Sequence, residues 1–109
     1  MPSVAEWVPV AEVAQLPEVE ESLRVEIDGH PLALFRLEDG MYALDDICSH
    51  EFSRLSEGEI WDDEVYCPKH GSRFDIRTGA VQGLPAIRPV GAYPVRVENG
   101  KVYVQWPGR

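Results

Sequence analysis

Asn99-Gly100 stands between Val95-Arg96-Val97-Glu98 and Lys101-Val102-Tyr103-Val104. No other short signal in the chain constrains its folding as tightly, because an Asn-Gly turn takes positive φ readily and folds two alternating strands back on each other. The same grammar recurs upstream. Leu23-Arg24-Val25-Glu26-Ile27 alternates with period two and Asp28-Gly29 turns it. Leu32 to Leu37 reads as the next strand, Asp39-Gly40 as the next turn, and Met41 to Leu44 as a third strand. Nine glycines and nine prolines are scattered rather than clustered, which is punctuation for many short strands. The expectation is an all-β chain of small antiparallel sheets. Before the first strand, Glu12 to Leu16 allows one helical turn stopped by Pro17, and the glutamates of Glu18–Glu21 read as a solvated loop.

From Asp45 to about Pro89 the alternation breaks down. Ile60-Trp61 and Val65-Tyr66 are possible short strands around the acidic turn Asp62-Asp63-Glu64, and the remainder reads as a loop-built site on a β scaffold. Both cysteines of the chain fall here, each with a histidine close behind: Cys48-Ser49-His50 and Cys67-Pro68-Lys69-His70. The pattern is C-x-H, sixteen residues, then C-x-x-H. Each pair is short enough for one tight loop to aim both side chains at a point, and Pro68 and Gly71 suit such a loop.

Three chemistries fit the four residues. A Cys48–Cys67 disulfide leaves both histidines unexplained and sits poorly in a reducing compartment. A tetrahedral zinc site uses these ligand types, but usually pairs Cys with Cys and His with His. A Rieske [2Fe–2S] centre places two thiolates on one iron and two imidazoles on the other, which suits one Cys and one His per loop.

Composition narrows the function. At 109 residues the chain is expected to be one domain over 1–109, with the site unit at about 45–89 inserted in a sandwich- or barrel-like β base. Ten basic against 19 acidic residues give a formal charge of −9, which excludes a basic nucleic-acid surface and argues against anionic lipid. No apolar run is long enough to span a bilayer, and Met1 to Trp7 lacks the features of a secretory leader, so a cytoplasmic protein is expected.

With these motifs in place, the sequence resembles the Rieske ferredoxins and Rieske domains over nearly its whole length. Beyond the four ligands, the matching stretches are Leu55-Ser56-Glu57-Gly58, Cys67 through Asp75, Thr78-Gly79 and Gly83-Leu84-Pro85-Ala86. The resemblance implies a Rieske fold with one [2Fe–2S] cluster per chain. Cys48 and Cys67 would hold the buried iron, and His50 and His70 the outer iron. Pro85 would lie in a loop covering the cluster.

Departures from the family pattern indicate the branch. High-potential members carry a second cysteine in each loop, but Ser53 and Lys69 stand there, so the chain is similar to the ferredoxin and oxygenase branch. Those members also use a Ser and a Tyr hydroxyl toward the cluster sulfurs. Ser72 keeps the first and Phe74 lacks the second, which implies a potential toward the low end of the roughly −150 to +300 mV Rieske range. Glu51 replaces a small residue after the first histidine and reads as an exposed acid.

The other residues carry less. His30 has no partner cysteine and reads as a surface turn residue. Trp7, Trp61 and Trp106 read as core or edge packing, Phe74 as packing under the second ligand loop, and Asp45-Asp46 and Asp62-Asp63-Glu64 as solvated loops. There is no phosphate-binding glycine loop or hydrolase signature, and only His30 remains for a mononuclear iron site.

The expectation is therefore an electron carrier, not an enzyme. It would be a monomeric ferredoxin taking electrons from a reductase to a terminal non-haem iron oxygenase of the aromatic-ring dioxygenase type. Docking would use the acidic surface and the His50/His70 edge. The alternatives are a small Rieske subunit of nitrite reductase, a ferredoxin of iron–sulfur cluster assembly, or a zinc-binding interaction module.

Overall fold

The computed structural model describes residues 6–47, 53–68, 71–84 and 88–106. Among the described residues, eleven strands form three antiparallel sheets. In chain order they are β1 (Glu6–Glu12), β2 (Glu21–Ile27), β3 (His30–Leu37), β4 (Gly40–Asp45), β5 (Ile60–Trp61), β6 (Glu64–Tyr66), β7 (Arg73–Asp75), β8 (Val81–Gly83), β9 (Ala92–Tyr93), β10 (Val95–Glu98) and β11 (Lys101–Trp106). The sheet orders are β1-β11-β10, β2-β3-β4-β9 and β5-β6-β7-β8. The helical turn expected at Glu12–Leu16 is a 3-10 turn over Val13–Gln15.

The predicted hairpins form, with small shifts. Asn99-Gly100 and Asp28-Gly29 have positive φ at both positions, the geometry that matches strand twist. The β3–β4 turn falls one residue early: Gly40 already pairs with Leu37, so Glu38-Asp39 makes the turn. Glu21 belongs to β2, opposite Arg36, and not to a loop. β1 escapes the alternation rule because Pro9 lies within it and its register against β11 shifts between Pro9 and Ala11. Proline is tolerated there because β1 is an edge strand.

β3 lies at the centre of the packing. Leu32 and Leu34 point into a core with Ile27, Ala43, Val102 and Val104, shared with the β1-β11-β10 sheet. Ala33, Phe35 and Leu37 point into a second core with Leu44, Leu55, Val65, Cys67, Phe74, Ile76 and Val90. The central sheet is thus covered on both sides, which explains why β3 reads as a continuous apolar run.

Arg77 joins this second layer to the central sheet from outside. Its guanidinium lies 2.8 Å from Asp39 in the β3–β4 turn and 2.7 Å from Asp63 in the β5–β6 turn, and it rests over the Tyr42 ring at 5.3 Å. The hydrogen bond from Arg77 holds the Asp39 carboxyl below its ordinary value of 3.8. A carboxyl whose folded value is depressed stabilises the fold above its unfolded value and loses that contribution as pH falls through the folded one. Arg77→Met should therefore lower the melting temperature at neutral pH, and the difference from wild type should shrink as pH falls below about 4. A gap that stays constant down to strong acid would show that Arg77 acts only through packing.

Candidate metal centre

Described residues bordering both cysteine–histidine loops belong to the second core: Leu55 follows the first loop and Cys67 opens the second. The first leaves β4 through Asp46 and Ile47 and returns at Ser53 and Arg54. Ile47 and Arg54 form an antiparallel bridge, and the Leu55 N–H donates to the Asp46 carbonyl at 2.6 Å, so the neck is closed. Cys48, His50 and Glu51 lie outside the described residues, inside this loop.

Asp46 locks the neck. It is fully buried, its Oδ1 accepts the Ser56 N–H at 2.7 Å, and its Oδ2 accepts Arg24 Nε at 3.1 Å. This corrects the expectation that Asp45-Asp46 is a solvated loop. Asp45 is engaged as well: Oδ1 accepts the Tyr93 hydroxyl at 2.8 Å and lies 2.7 Å from His30 Nε2, and Oδ2 accepts the Gly91 N–H at 2.9 Å. A Cβ at Gly91 would come within 2.6 Å of Asp45 Oδ2 and 2.7 Å of the Tyr93 hydroxyl, so a larger residue there has to push this pair aside. His30 is likewise no bare surface residue: beyond its carboxylate partner, its ring lies 5.0 Å from that of Trp106. These contacts tie the strand after the Pro85 loop to the strand before the Cys48 loop.

The second loop connects β6 to β7. The Cys67 N–H donates to the Ser72 carbonyl at 2.7 Å, and the Gly71 N–H donates to the Cys67 carbonyl at 3.0 Å. Gly71 takes φ +76°, open to glycine at no steric cost. Cys67 is 2% exposed and Ser72 fully buried, while Lys69 and His70 lie outside the described residues. Phe74 is buried in the same core as Cys67, under the loop as expected.

The two loops are fastened together at their bases. Tyr66 N–H donates to the Glu59 carbonyl at 2.9 Å, and Gly58 lies so close that a Cβ would fall 2.0 Å from the Tyr66 oxygen. Leu55, from the first loop's return, packs with Cys67 and Phe74. A third element approaches through Arg73, which donates to Glu64 Oε1 at 3.1 Å and to the Gln82 carbonyl at 2.9 Å. It holds the strand that leads to Leu84, 78% exposed, and on to Pro85, which lies outside the described residues.

The sequence matches the Rieske [2Fe–2S] domain over residues 6–94. The chain belongs to the Rieske [2Fe–2S] family. Its cofactor is accordingly a [2Fe–2S] cluster, and the zinc reading is set aside. The Rieske chain is 42% identical over 102 residues to the anthranilate 1,2-dioxygenase ferredoxin subunit of Burkholderia cepacia, covering 94% of each. Among solved structures it is similar to the ferredoxin of carbazole 1,9a-dioxygenase from Nocardioides aromaticivorans IC177, with TM-score 0.84 and 36% identity over 91% of this chain and 96% of that one. A complex of reduced oxygenase and oxidized ferredoxin in carbazole 1,9a-dioxygenase contains a chain that aligns with TM-score 0.82 and 36% identity, covering 91% and 92%.

The residues present fit this cofactor. A buried cysteine sits at the root of a hydrogen-bonded loop, and a second Cys–His loop is closed by a buried carboxylate beside the same core. Neutral imidazoles bring less negative charge than thiolates, which raises a cluster's potential above that of an all-cysteine one. Asp46 is the site residue that sequence reasoning missed. Its position two residues before Cys48 was a signal, but its partners, Ser56 and Arg24, lie far along the chain. No helix among the described residues is long and apolar enough to cross a membrane.

Proposed function

We propose that this Rieske protein is the ferredoxin of a multicomponent aromatic-ring dioxygenase system. In this reading it is a soluble, cytoplasmic, monomeric one-electron carrier between a reductase and a terminal non-haem iron oxygenase, and not itself an enzyme. The observation that carries the reading is the near-complete, full-length match to a dioxygenase ferredoxin subunit, 94% of both chains. A ferredoxin of the same fold and size is known in complex with its oxygenase, which supports the second half of the route.

In this proposal Cys48 and Cys67 hold the inner iron, His50 and His70 the outer one, and 45–89 acts as the cluster-binding unit set into the β base. The [2Fe–2S] group supplies one reversible electron. Asp46 and Arg24 fix the root of the first ligand loop, and the Cys67–Ser72 and Gly71–Cys67 bonds fix the second. Ser72, Phe74 and Pro85 would lie around the cluster. Only Ser72 of the tuning pair carries a hydroxyl, and a donor toward a cluster sulfur favours the more negative, reduced form. Ser72→Ala should lower the midpoint by about 40–60 mV, the one-electron equivalent of a bond worth about 1–1.5 kcal/mol.

The deciding experiment is an EPR spectrum of the dithionite-reduced protein, with iron, zinc and sulfide assayed on the same sample. A rhombic signal with iron and sulfide in equal amounts is expected. A silent sample holding zinc would overturn the carrier role, and an unchanged midpoint in Ser72→Ala would remove that residue from the tuning set.

A further inference from the structure

Beside the ligand loops lies a groove of about 420 Å³ that the electron-transfer reading does not use. Trp61 and Glu59, with the edge strand β5, form one wall, and Glu20, Glu21 and Ser22 form the other. Trp61 is 60% exposed, whereas Trp7 and Trp106 are half-buried. Its indole N–H donates to Glu59 Oε1 at 3.0 Å, which leaves a ring face open to solvent. Among the described residues, no Lys, Arg or His nitrogen comes within ion-pair distance of Glu20, Glu21 or Glu59. Arg36, opposite Glu21 in the ladder, donates instead to the Pro17 carbonyl at 3.1 Å. The groove reaches the centre: a neighbouring hollow shares Gly58 and Glu59 with it and continues to Tyr66, Cys67 and Pro68.

The molecule itself shows what such an indole accepts. Arg96 lies over the Trp7 ring at 4.3 Å, and no cation of the described chain does the same for Trp61. A guanidinium suits the groove better than an ammonium, because it is planar, weakly hydrated, stacks on an indole and can bind a carboxylate with two donors at once. Three carboxylates exclude a phosphate-bearing or purely apolar occupant.

We propose that this groove is a docking site for an arginine-bearing segment of a redox partner protein, the guanidinium resting on Trp61 between Glu59 and the Glu20-Glu21 wall. The proposal rests on the electron-carrier reading and deepens it, by placing a specific contact on the flank of the cluster-binding sheet. Such a contact would fix a partner's rotation about the cluster end, while the acidic surface steers the encounter.

The test is an amide and indole NMR titration of the oxidised holoprotein with a short blocked peptide alternating arginine and alanine. The Trp61 indole N–H and the Ile60 and Ser22 amides should shift together and saturate. Trp61→Ala should weaken binding about two- to five-fold, the range of an exposed cation–π contact, and Glu59→Gln and Glu21→Gln should weaken it further. Shifts spread evenly over acids on other faces, such as Glu26 and Glu98, would overturn the proposal, as would no shift or equal affinity in Trp61→Ala. The reduced EPR spectrum of each sample separates the two readings. A normal cluster signal with no groove binding removes the docking site alone, whereas loss of the signal in wild type removes the carrier role.

Discussion

Asp46→Ala should destabilise the holoprotein by about 3–5 kcal/mol, because it removes two hydrogen bonds to a buried charged group, each worth about 1.5–3 kcal/mol. The carboxylate is fully buried and receives both the Ser56 N–H and Arg24 Nε, so its loss strands a backbone donor and leaves the Arg24 guanidinium with Glu26 as its remaining carboxylate partner. For a domain near this size each kcal/mol is worth roughly 4–8 °C in melting temperature, so a fall of roughly 12–40 °C is expected. Asp46→Asn keeps an acceptor for Ser56 and loses only the charge, and should fall between wild type and Asp46→Ala. Because the bonds lost close the neck of the Cys48–His50 loop, iron per chain should fall with stability. A melting temperature within a few degrees of wild type would show that the Ile47–Arg54 bridge and the Leu55–Asp46 backbone bond hold the neck without the Asp46 side chain.

Phe74→Ala should have an effect of similar size, about 3–5 kcal/mol for emptying a buried phenyl site. The ring is fully buried with Leu55, Val65, Cys67 and Ile76, so the cavity would open directly under the second ligand loop. Thermal unfolding and the rate of iron release to a chelator should both change. Leu84→Ala, at a side chain 78% exposed, should stay within about 0.5 kcal/mol. Iron release from Phe74→Ala at the wild-type rate would separate the packing of Phe74 from the hold on the metal.

The hairpins were legible because each carries its own evidence: Asn99-Gly100 and Asp28-Gly29 need only their flanking residues to be understood. β7, β8 and β9 were not, since two or three residues cannot display a period, and β1 was hidden by Pro9 and a shift in register. The centre divides in the same way. The spacing and types of Cys48, His50, Cys67 and His70 pointed to a mixed-ligand cluster, and the family match supports that chemistry, although only Cys67 of the four lies among the described residues. What holds the loops was invisible. Asp46 answers to Arg24 and Ser56, and His30 answers to Asp45 and Trp106, partners supplied by the fold and not by the neighbouring sequence.

The two buried faces of β3 have a consequence for how the molecule comes apart. A strand that serves two cores cannot leave one without uncovering the other, so the metal-binding layer and the base are joined into one cooperative unit. Unfolding of the layer that carries Cys67 and Phe74 uncovers Ala33, Phe35 and Leu37, on the same strand whose other face holds Leu32 and Leu34 in the base. Loss of the metal and loss of the base's tryptophan packing should then follow one transition, with no stable half-molecule between them.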